Sequence, residues 1–200
     1  MTIELMPVSH TDERYLLMRD RHYIPNNSTI GMQLHYLIMR EDVQLGIISA
    51  ASPTYQVKGR DDFFGIDPHP NKRGAQLKHI VNNSVFRLEF NEKNLGTKIL
   101  ALFRRRVEYD WSWKYNVKLY GYETFVEPSE VRHGSLYKAD NWTAVGMTKG
   151  HAKLQKGVRV NGRGNISRKA TTQKLIFCKW AKGVKALPQV EYRHQFKLDL

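Results

Sequence analysis

Between Asp140 and Glu191 the chain has no acidic residue, yet the same stretch holds eleven Lys and Arg. These are Lys149, Lys153, Lys156, Arg159, Arg163, Arg168, Lys169, Lys174, Lys179, Lys182 and Lys185, and they carry +11 of a formal net charge of +13. Solubility is met with mixed charges, whereas a long one-sign segment sets up a strong local field. Nucleic acid is the common polyanion able to use it, through phosphate contacts and counterion release. The alternative is a solvated basic segment with no dedicated partner. Cysteine is nearly absent. Cys178 alone excludes an intramolecular disulfide framework and a Cys-rich zinc site. No apolar stretch approaches the length of a membrane span, and no apolar run follows a basic N-terminal region. A soluble protein of a reducing, cytoplasmic compartment is the expectation, the host cytoplasm if a phage encodes it. Internal repeats and heptads are also missing. What remains is 200 residues with 41% hydrophobic and 11% aromatic content, enough for one core with an appendage.

The patterning predicts a mixed α/β order. Residues 1–8 read as a strand ending near Pro7, and a helix capped by Ser9 or Thr11 runs to about Arg21. It buries Tyr15, Leu16, Met18 and Arg19, and the segment His22 to Asn27 breaks it at Pro25. Strands follow at 34–38 and 44–51, then an irregular connection from Arg60 to Gly65 and a weakly patterned helix over 71–80. Ser84–Phe90 alternates as a strand. Leu95, Ile99, Leu102 and Phe103 give a helix closed by Arg104, Arg105 and Arg106 near its negative dipole end. Strands at 118–126, 142–147 and 175–180 flank a short helix at 136–139. Residues 149–172 read as a long loop or mobile arm in which Gly157, Gly162 and Gly164 let the backbone follow a groove. The division expected is a core over 1–148, with 149–200 a basic arm plus terminal strands of the same domain.

Several side chains are candidates for chemistry. His22 sits just past a helix end beside Tyr23, where it can face a cleft, although a lone His is more often structural. Glu123 is mid-strand between aromatic residues, where a carboxylate is a general base, a metal ligand or a solvent-facing group. Asn82, Asn83, Ser84 and Arg87 open the central strand and can hold a base edge or carboxylate, or simply make a tight bend. Arg60 with Asp61-Asp62 reads as an ion pair fixing a loop. Trp111 and Trp113, beside the Arg104–Arg106 cluster, can stack bases or fill core and surface of one turn. The basic arm offers Lys149, Lys153, Lys156, Arg159, Arg163, Arg168 and Lys169 for phosphates, without sequence readout.

A set of motifs then occurs in a familiar order: His22-Tyr23-Ile24, Gly31-Met-Gln-Leu-His-Tyr36, Gly59-Arg-Asp-Asp-Phe-Phe-Gly65, Val81-Asn-Asn-Ser-Val-Phe-Arg87, Glu123-Thr-Phe-Val-Glu127, Gly134-Ser-Leu-Tyr-Lys-Ala-Asp-Asn-Trp142 and Gly146-Met-Thr-Lys-Gly150. Over about 22–150 the chain resembles the Druantia anti-phage protein A family. More distantly it is similar to the Mom group of DNA base-modifying proteins, through the His-Tyr pair and the late acid followed by Gly-x-x-Tyr-x-x-x-x-Trp. Both are akin to the GNAT acyltransferase fold, so the resemblance implies a GNAT-like mixed sheet flanked by helices. It implies a catalytic set of His22, Tyr23, Glu123 and Tyr137, with Tyr137 as general acid, although Tyr137 also reads as a core aromatic against Trp142. Mom-like proteins use iron, which implies a metal at His22 and Glu123. GNAT folds seat an acyl donor between two splayed strands, phosphates on the next helix. Here that turn is residues 91–97, with Asn94, Gly96 and Thr97. It lacks the Gln/Arg-x-x-Gly-x-Gly pattern and carries Glu92, so acetyl-CoA is doubtful and the acyl or aminoacyl donor is left open.

The function expected is transfer of a small acyl- or aminoacyl-derived group to a DNA base amine, adenine N6 first, shielding phage DNA from restriction. A DNA-binding defence component, or an acyltransferase acting on tRNA or protein, are the alternatives.

Overall fold

The computed structural model describes residues 2–24, 31–160, 163–170 and 172–190, and only the backbone of 151–170. The predicted break at Pro25–Asn27 and Gly162 of the basic arm lie outside the described residues. Strand β1 (Ile3–Val8) leads into helix α1 (Glu13–Asp20), strands β2 (Gln33–Arg40) and β3 (Val43–Ala51), and helices α2 (Lys58–Phe64) and α3 (Pro70–Leu77). Strand β4 (Ile80–Leu88), helix α4 (Leu95–Tyr115), strand β5 (Gly121–Val126), helix α5 (Ser135–Ala139) and strand β6 (Thr143–Met147) follow. The chain then runs through β7 (His151–Val160), β8 (Arg163–Ala170) and β9 (Leu175–Trp180).

Seven strands form one sheet in the order β1-β2-β3-β4-β5-β9-β6. Its pairings are antiparallel except for β4 with β5. Helices cover both faces, so the central strands read as nearly continuous apolar runs. On one face Ile99, Phe103, Val107 and Trp111 of α4 pack on Tyr36, Ile38, Ile48, Ala50, Val81 and Tyr122. On the other, Tyr15 of α1 packs on Leu37, Ile47 and Val85, while Phe64 of α2 packs with Ile80, Ile176 and Cys178. Each such buried aliphatic or aromatic side chain contributes about 1.5–3 kcal/mol.

Several boundaries differ from the sequence reading. Asp12, not Ser9 or Thr11, caps α1 by accepting the Arg14 N–H at 2.9 Å. Arg60–Gly65 is not irregular: it is most of α2, which Gly65 ends in the left-handed region at φ 64°. Helix α4 continues nine residues past Arg106, because Val107, Asp110 and Trp111 extend its buried face. Residues 151–160 and 163–170 are not a loop but a separate two-stranded ladder, with His151 opposite Ala170 and Val160 opposite Arg163. No helix among the described residues is long and apolar enough to cross a membrane.

Candidate active site

Two irregularities open the middle of the sheet. The parallel ladder between β4 and β5 has three rungs, from Ile80–Gly121 to Asn82–Glu123. Beyond them β4 stays with β3 as far as Leu88, and β5 stays with β9 as far as Val126, so the two central strands fork. At the same level β4 carries a bulge. Ala50 faces Asn83 and Ser49 faces Val85, leaving Ser84 as the extra residue. Plain alternation would put Val81, Asn83 and Val85 on one face. The bulge instead turns Val85 to the α1 side while Val81 stays in the α4 core.

The fork is furnished on its α4 side by Asn83, Thr124 and Tyr137. Tyr137 donates its hydroxyl to Asn83 Oδ1 at 2.9 Å, and Asn83 Nδ2 donates to the Ser49 and Val85 carbonyls at 3.1 Å. Thr124 Oγ1 donates to the Asn83 carbonyl at 3.0 Å. Burial pushes the Tyr137 phenol well above its ordinary value, so it keeps its proton at neutral pH. The Gly134 motif explains how the ring gets there. Gly134 starts α5 at φ 72°, and a Cβ on it would lie 2.2 Å from the Phe177 ring. That close approach stacks Tyr137 on Phe177 and sets it edge-on to Trp142. Asp140 then ties the motif down through Arg104, the Trp142 indole N–H at 2.8 Å and, at its carbonyl, Lys179 Nζ at 2.6 Å.

His22 and Tyr23 lie across the mouth of the fork. Arg87 of β4 donates to the Arg21 carbonyl at 2.5 Å, and Tyr23 takes a hydrogen bond from the Glu127 backbone, just past β5. The two rings stack at 4.5 Å, and the Arg132 guanidinium sits 4.1 Å above Tyr23. Burial lowers the His22 pKa to about 4, with Arg19, Arg87 and Arg132 adding to the fall, so the ring is neutral at pH 7. Its Nδ1 lies 3.2 Å from the Ile24 N–H and 3.4 Å from the Ile24 carbonyl, so the backbone of Ile24 fixes the ring and can partner Nδ1 in either tautomer. His22 and Tyr23 thus bridge the ends of β4 and β5 beyond the Tyr137–Asn83 pair, held there by Arg87 and the Glu127 backbone.

Glu123 stands on the opposite face of the sheet, at the point of the fork. It is fully buried, and so is its partner Arg60 at 2.6 Å. Arg60 also meets Asp61 and the Thr54 carbonyl, and Asp61 meets Arg73, all at 2.6 Å. The Thr54 N–H closes the other carboxylate oxygen of Glu123 at 3.2 Å. Burial pushes the Glu123 carboxyl up to about 7, against the pull of Arg60. Two acids and two guanidiniums therefore clamp α2, α3 and the 52–57 loop onto β5. The sequence showed Arg60 beside Asp61 but gave no sign of Glu123 63 positions away; Arg73, Thr124 and Arg132 were missed for the same reason. Asn82, level with Glu123 on β4, has a buried Oδ1 with no partner.

The remaining predicted residues are scattered. Asn94, Gly96 and Thr97 border a second groove of about 480 Å³ between the start of α4 and α5. Gly96 is shaped by Leu136 of α5, which a Cβ would approach to 2.6 Å. Arg104 is engaged by Asp140, Arg106 by Asp110 at 2.7 Å, and Arg105 is exposed. Trp111 is core and Trp113 is 80% exposed. The side chains of Lys153, Lys156, Arg159, Arg163, Arg168 and Lys169 lie outside the described residues. Asn82, Asn83, Ser84 and exposed Lys149 line an open cleft of about 2740 Å³ beside the fork.

A sheet forked between a bulged β4 and a parallel β5, with a helix starting after β4, is the architecture of the GNAT acetyltransferases. A Bacillus subtilis acetyltransferase in complex with CoA superposes with a TM-score of 0.55 at 8% identity, over 90% of this chain and 99% of that one. An Elizabethkingia anophelis GNAT family acetyltransferase with acetyl-CoA bound gives 0.51 at 10%, covering 90% and 98%. Arabidopsis thaliana NAA60 in complex with a bisubstrate analogue gives 0.52 at 17%, covering 90% and 99%. No curated protein matches the sequence. The family model for Druantia protein DruA matches residues 1–193, and the chain belongs to that family.

The cofactor expectations need correction. Doubt about acetyl-CoA rested on the missing pattern at 91–97 and on the charge of Glu92. Solved chains of this fold hold CoA or acetyl-CoA, and Arg40 grips both carboxylate oxygens of Glu92 at 2.8 Å, offsetting its charge. Iron fails as well. Among the described residues no three His, Cys, Asp or Glu side chains are grouped to hold a metal. His22 is bound to Ile24 and Glu123 to Arg60 and Thr54, on different sides of the fork.

Proposed function

We propose that this chain is a nucleic-acid acyltransferase of anti-phage defence, moving a small acyl group from a CoA-type thioester in the fork to an exocyclic amine of a DNA base. Adenine N6 is the target that the Mom-like resemblance favours. The observation that carries the reading is the Tyr137–Asn83–Thr124 cluster inside the β4–β5 fork. A thioester supplies an activated carbonyl when bound. As the amine nitrogen bonds the acyl carbon and the C–S bond breaks, Tyr137 gives its proton to the departing thiolate, and the proton that the amine loses replaces it. The neutral His22 ring lies at the mouth, and the first turn of α4, bordered by Asn94, Gly96 and Thr97, offers backbone amides to phosphates. The orphan Oδ1 of Asn82 asks for an N–H donor, as an amine supplies.

Two features favour DNA on the acceptor side. The cleft far exceeds the roughly 300–1,000 Å³ of small-molecule sites and fits a nucleotide taken out of its stack. The acid-free stretch from Asn141 to Val190 adds eleven cations. A second reading, a DNA-binding component with no transfer activity, is favoured by Tyr23 lying across the mouth of the fork. Incubation of the protein with radiolabelled acetyl-CoA and separately with DNA, tRNA and protein distinguishes these. Label in a DNA nucleoside supports the proposal, label in tRNA or protein moves the acceptor, and no label in any, with DNA bound, supports the second reading.

A further inference from the structure

Helix α4 carries an outward stripe that its packing does not explain. Arg105, Tyr109 and Trp113 recur every fourth residue and so share one face. Trp113 is 80% and Tyr109 69% exposed, while Val107 and Trp111 on the inner face are fully buried. Large rings left in water at this spacing are unusual on a protein with an otherwise well-buried core. Arg105 has no ion pair or hydrogen bond among the described residues. The carboxylates nearby are occupied: Asp110 by Arg106 and Tyr36, and Glu108 by the Tyr122 hydroxyl.

The stripe leads into the cleft. Trp113, Lys114 and Tyr115 form part of the cleft wall, together with His10 and His35 of the α1 side. Lys114 Nζ donates to the Gln33 carbonyl at 3.4 Å, which joins the end of α4 to the start of β2. Tyr109 and Trp113 are separated by about 6 Å along the helix axis, four residues at about 1.5 Å each. That is close to two steps of a nucleic-acid strand at about 3.4 Å per nucleotide.

We propose that the Arg105–Tyr109–Trp113 face of α4 is a stacking platform for single-stranded DNA, which guides the strand into the cleft. This rests on the DNA reading of the function. The rings would take base faces without sequence preference, and Arg105 and Lys114 would meet phosphates. A second copy of this chain is the competing occupant, but a cationic stripe of Arg105 and Lys114 repels itself, whereas it attracts a phosphate backbone.

The test uses the full chain and a fluorescein-labelled 20-nucleotide oligo-dT, with affinities taken by anisotropy at several salt concentrations. Trp113→Ala and Tyr109→Ala should each weaken binding about ten-fold or more, and Trp113→Phe far less. The salt slope should stay that of the wild type, because a ring carries no charge to release counterions. Trp113 is the one highly exposed tryptophan, so its emission should be quenched by oligo-dT, and Trp113→Phe should lose that signal. Tight wild-type binding that both alanine variants preserve overturns the platform and leaves the DNA reading standing. Absence of wild-type binding to any DNA overturns both. A wild-type dimer that Trp113→Ala and Tyr109→Ala render monomeric assigns the face to a second copy and also overturns the platform.

Discussion

At the residue scale the fork depends on hydroxyl and amide groups whose partners are fixed. Tyr137→Phe removes one hydroxyl and leaves Asn83 Oδ1 without its donor. The expected stability loss is about 1–3 kcal/mol, and acyl transfer should fall by about 10²–10⁴-fold if the proton is used in the reaction. Single-turnover thioester cleavage beside a thermal melt separates the two effects. Arg60→Ala leaves Glu123 buried without its guanidinium, while Asp61 keeps Arg73, and should cost about 3–5 kcal/mol.

The pH dependence follows from the same groups. Glu123 has a folded pKa of about 7, above its ordinary value of 4.5, so the native state holds the extra proton between those values. Its contribution to stability is present at acid pH and is lost as pH rises toward 7. His22 and His35 run the other way. Their folded pKa values of about 4 lie below 6.5, so their contribution is present above pH 6.5 and is lost as pH falls toward 4. Denaturant melts from pH 4 to 8 should show His35→Gln flattening the acid side of the curve. Glu123→Gln should remove the decline between about 4.5 and 7. A His35→Gln curve parallel to the wild type contradicts this assignment.

At the scale of elements, glycines mark where pieces meet too closely for a side chain. A Cβ on Gly59 of α2 would lie 2.3 Å from the Val145 carbonyl of β6. Backbone cannot yield as a side chain does, so Gly59→Ala should displace α2 and with it Arg60. The expected loss is about 1–3 kcal/mol, measured by urea unfolding. Much of the element order could be read from the sequence, because alternation at Ser84–Phe90 and helical spacing from Leu95 are local patterns. The ladder of β7 and β8 reads as a loop because Gly, Lys and Arg dominate its composition, although Leu154, Val158 and Val160 alternate with Lys153, Gln155 and Arg159 in the pattern of a strand. Residues Lys58–Phe64 read as irregular because Arg60 is buried, and burial of a guanidinium becomes intelligible only with Glu123 opposite. The His22–Tyr23–Tyr137 grouping was reached by motif order alone. Its physical cause, the bulge at Ser84 and the fork beyond Asn82, is a matter of register that a single strand does not record.

At the scale of the molecule, the eleven acid-free cations between Asn141 and Val190 dominate the charge balance. Reversing Lys153, Lys156, Arg159, Arg163, Arg168 and Lys169 to Glu should collapse DNA affinity and flatten its salt dependence, while the seven-stranded sheet, built without β7 and β8, should melt unchanged. Filter binding at several salt concentrations checks it. The central claim is that the forked sheet transfers an acyl group to DNA. Mass analysis of nucleosides from DNA of cells expressing the wild type, beside cells expressing Tyr137→Phe, tests that claim most directly. A nucleoside heavier by one acyl group in the wild type, lost or sharply reduced in Tyr137→Phe, is the predicted result; identical nucleoside masses in wild-type, variant and empty cells would contradict it.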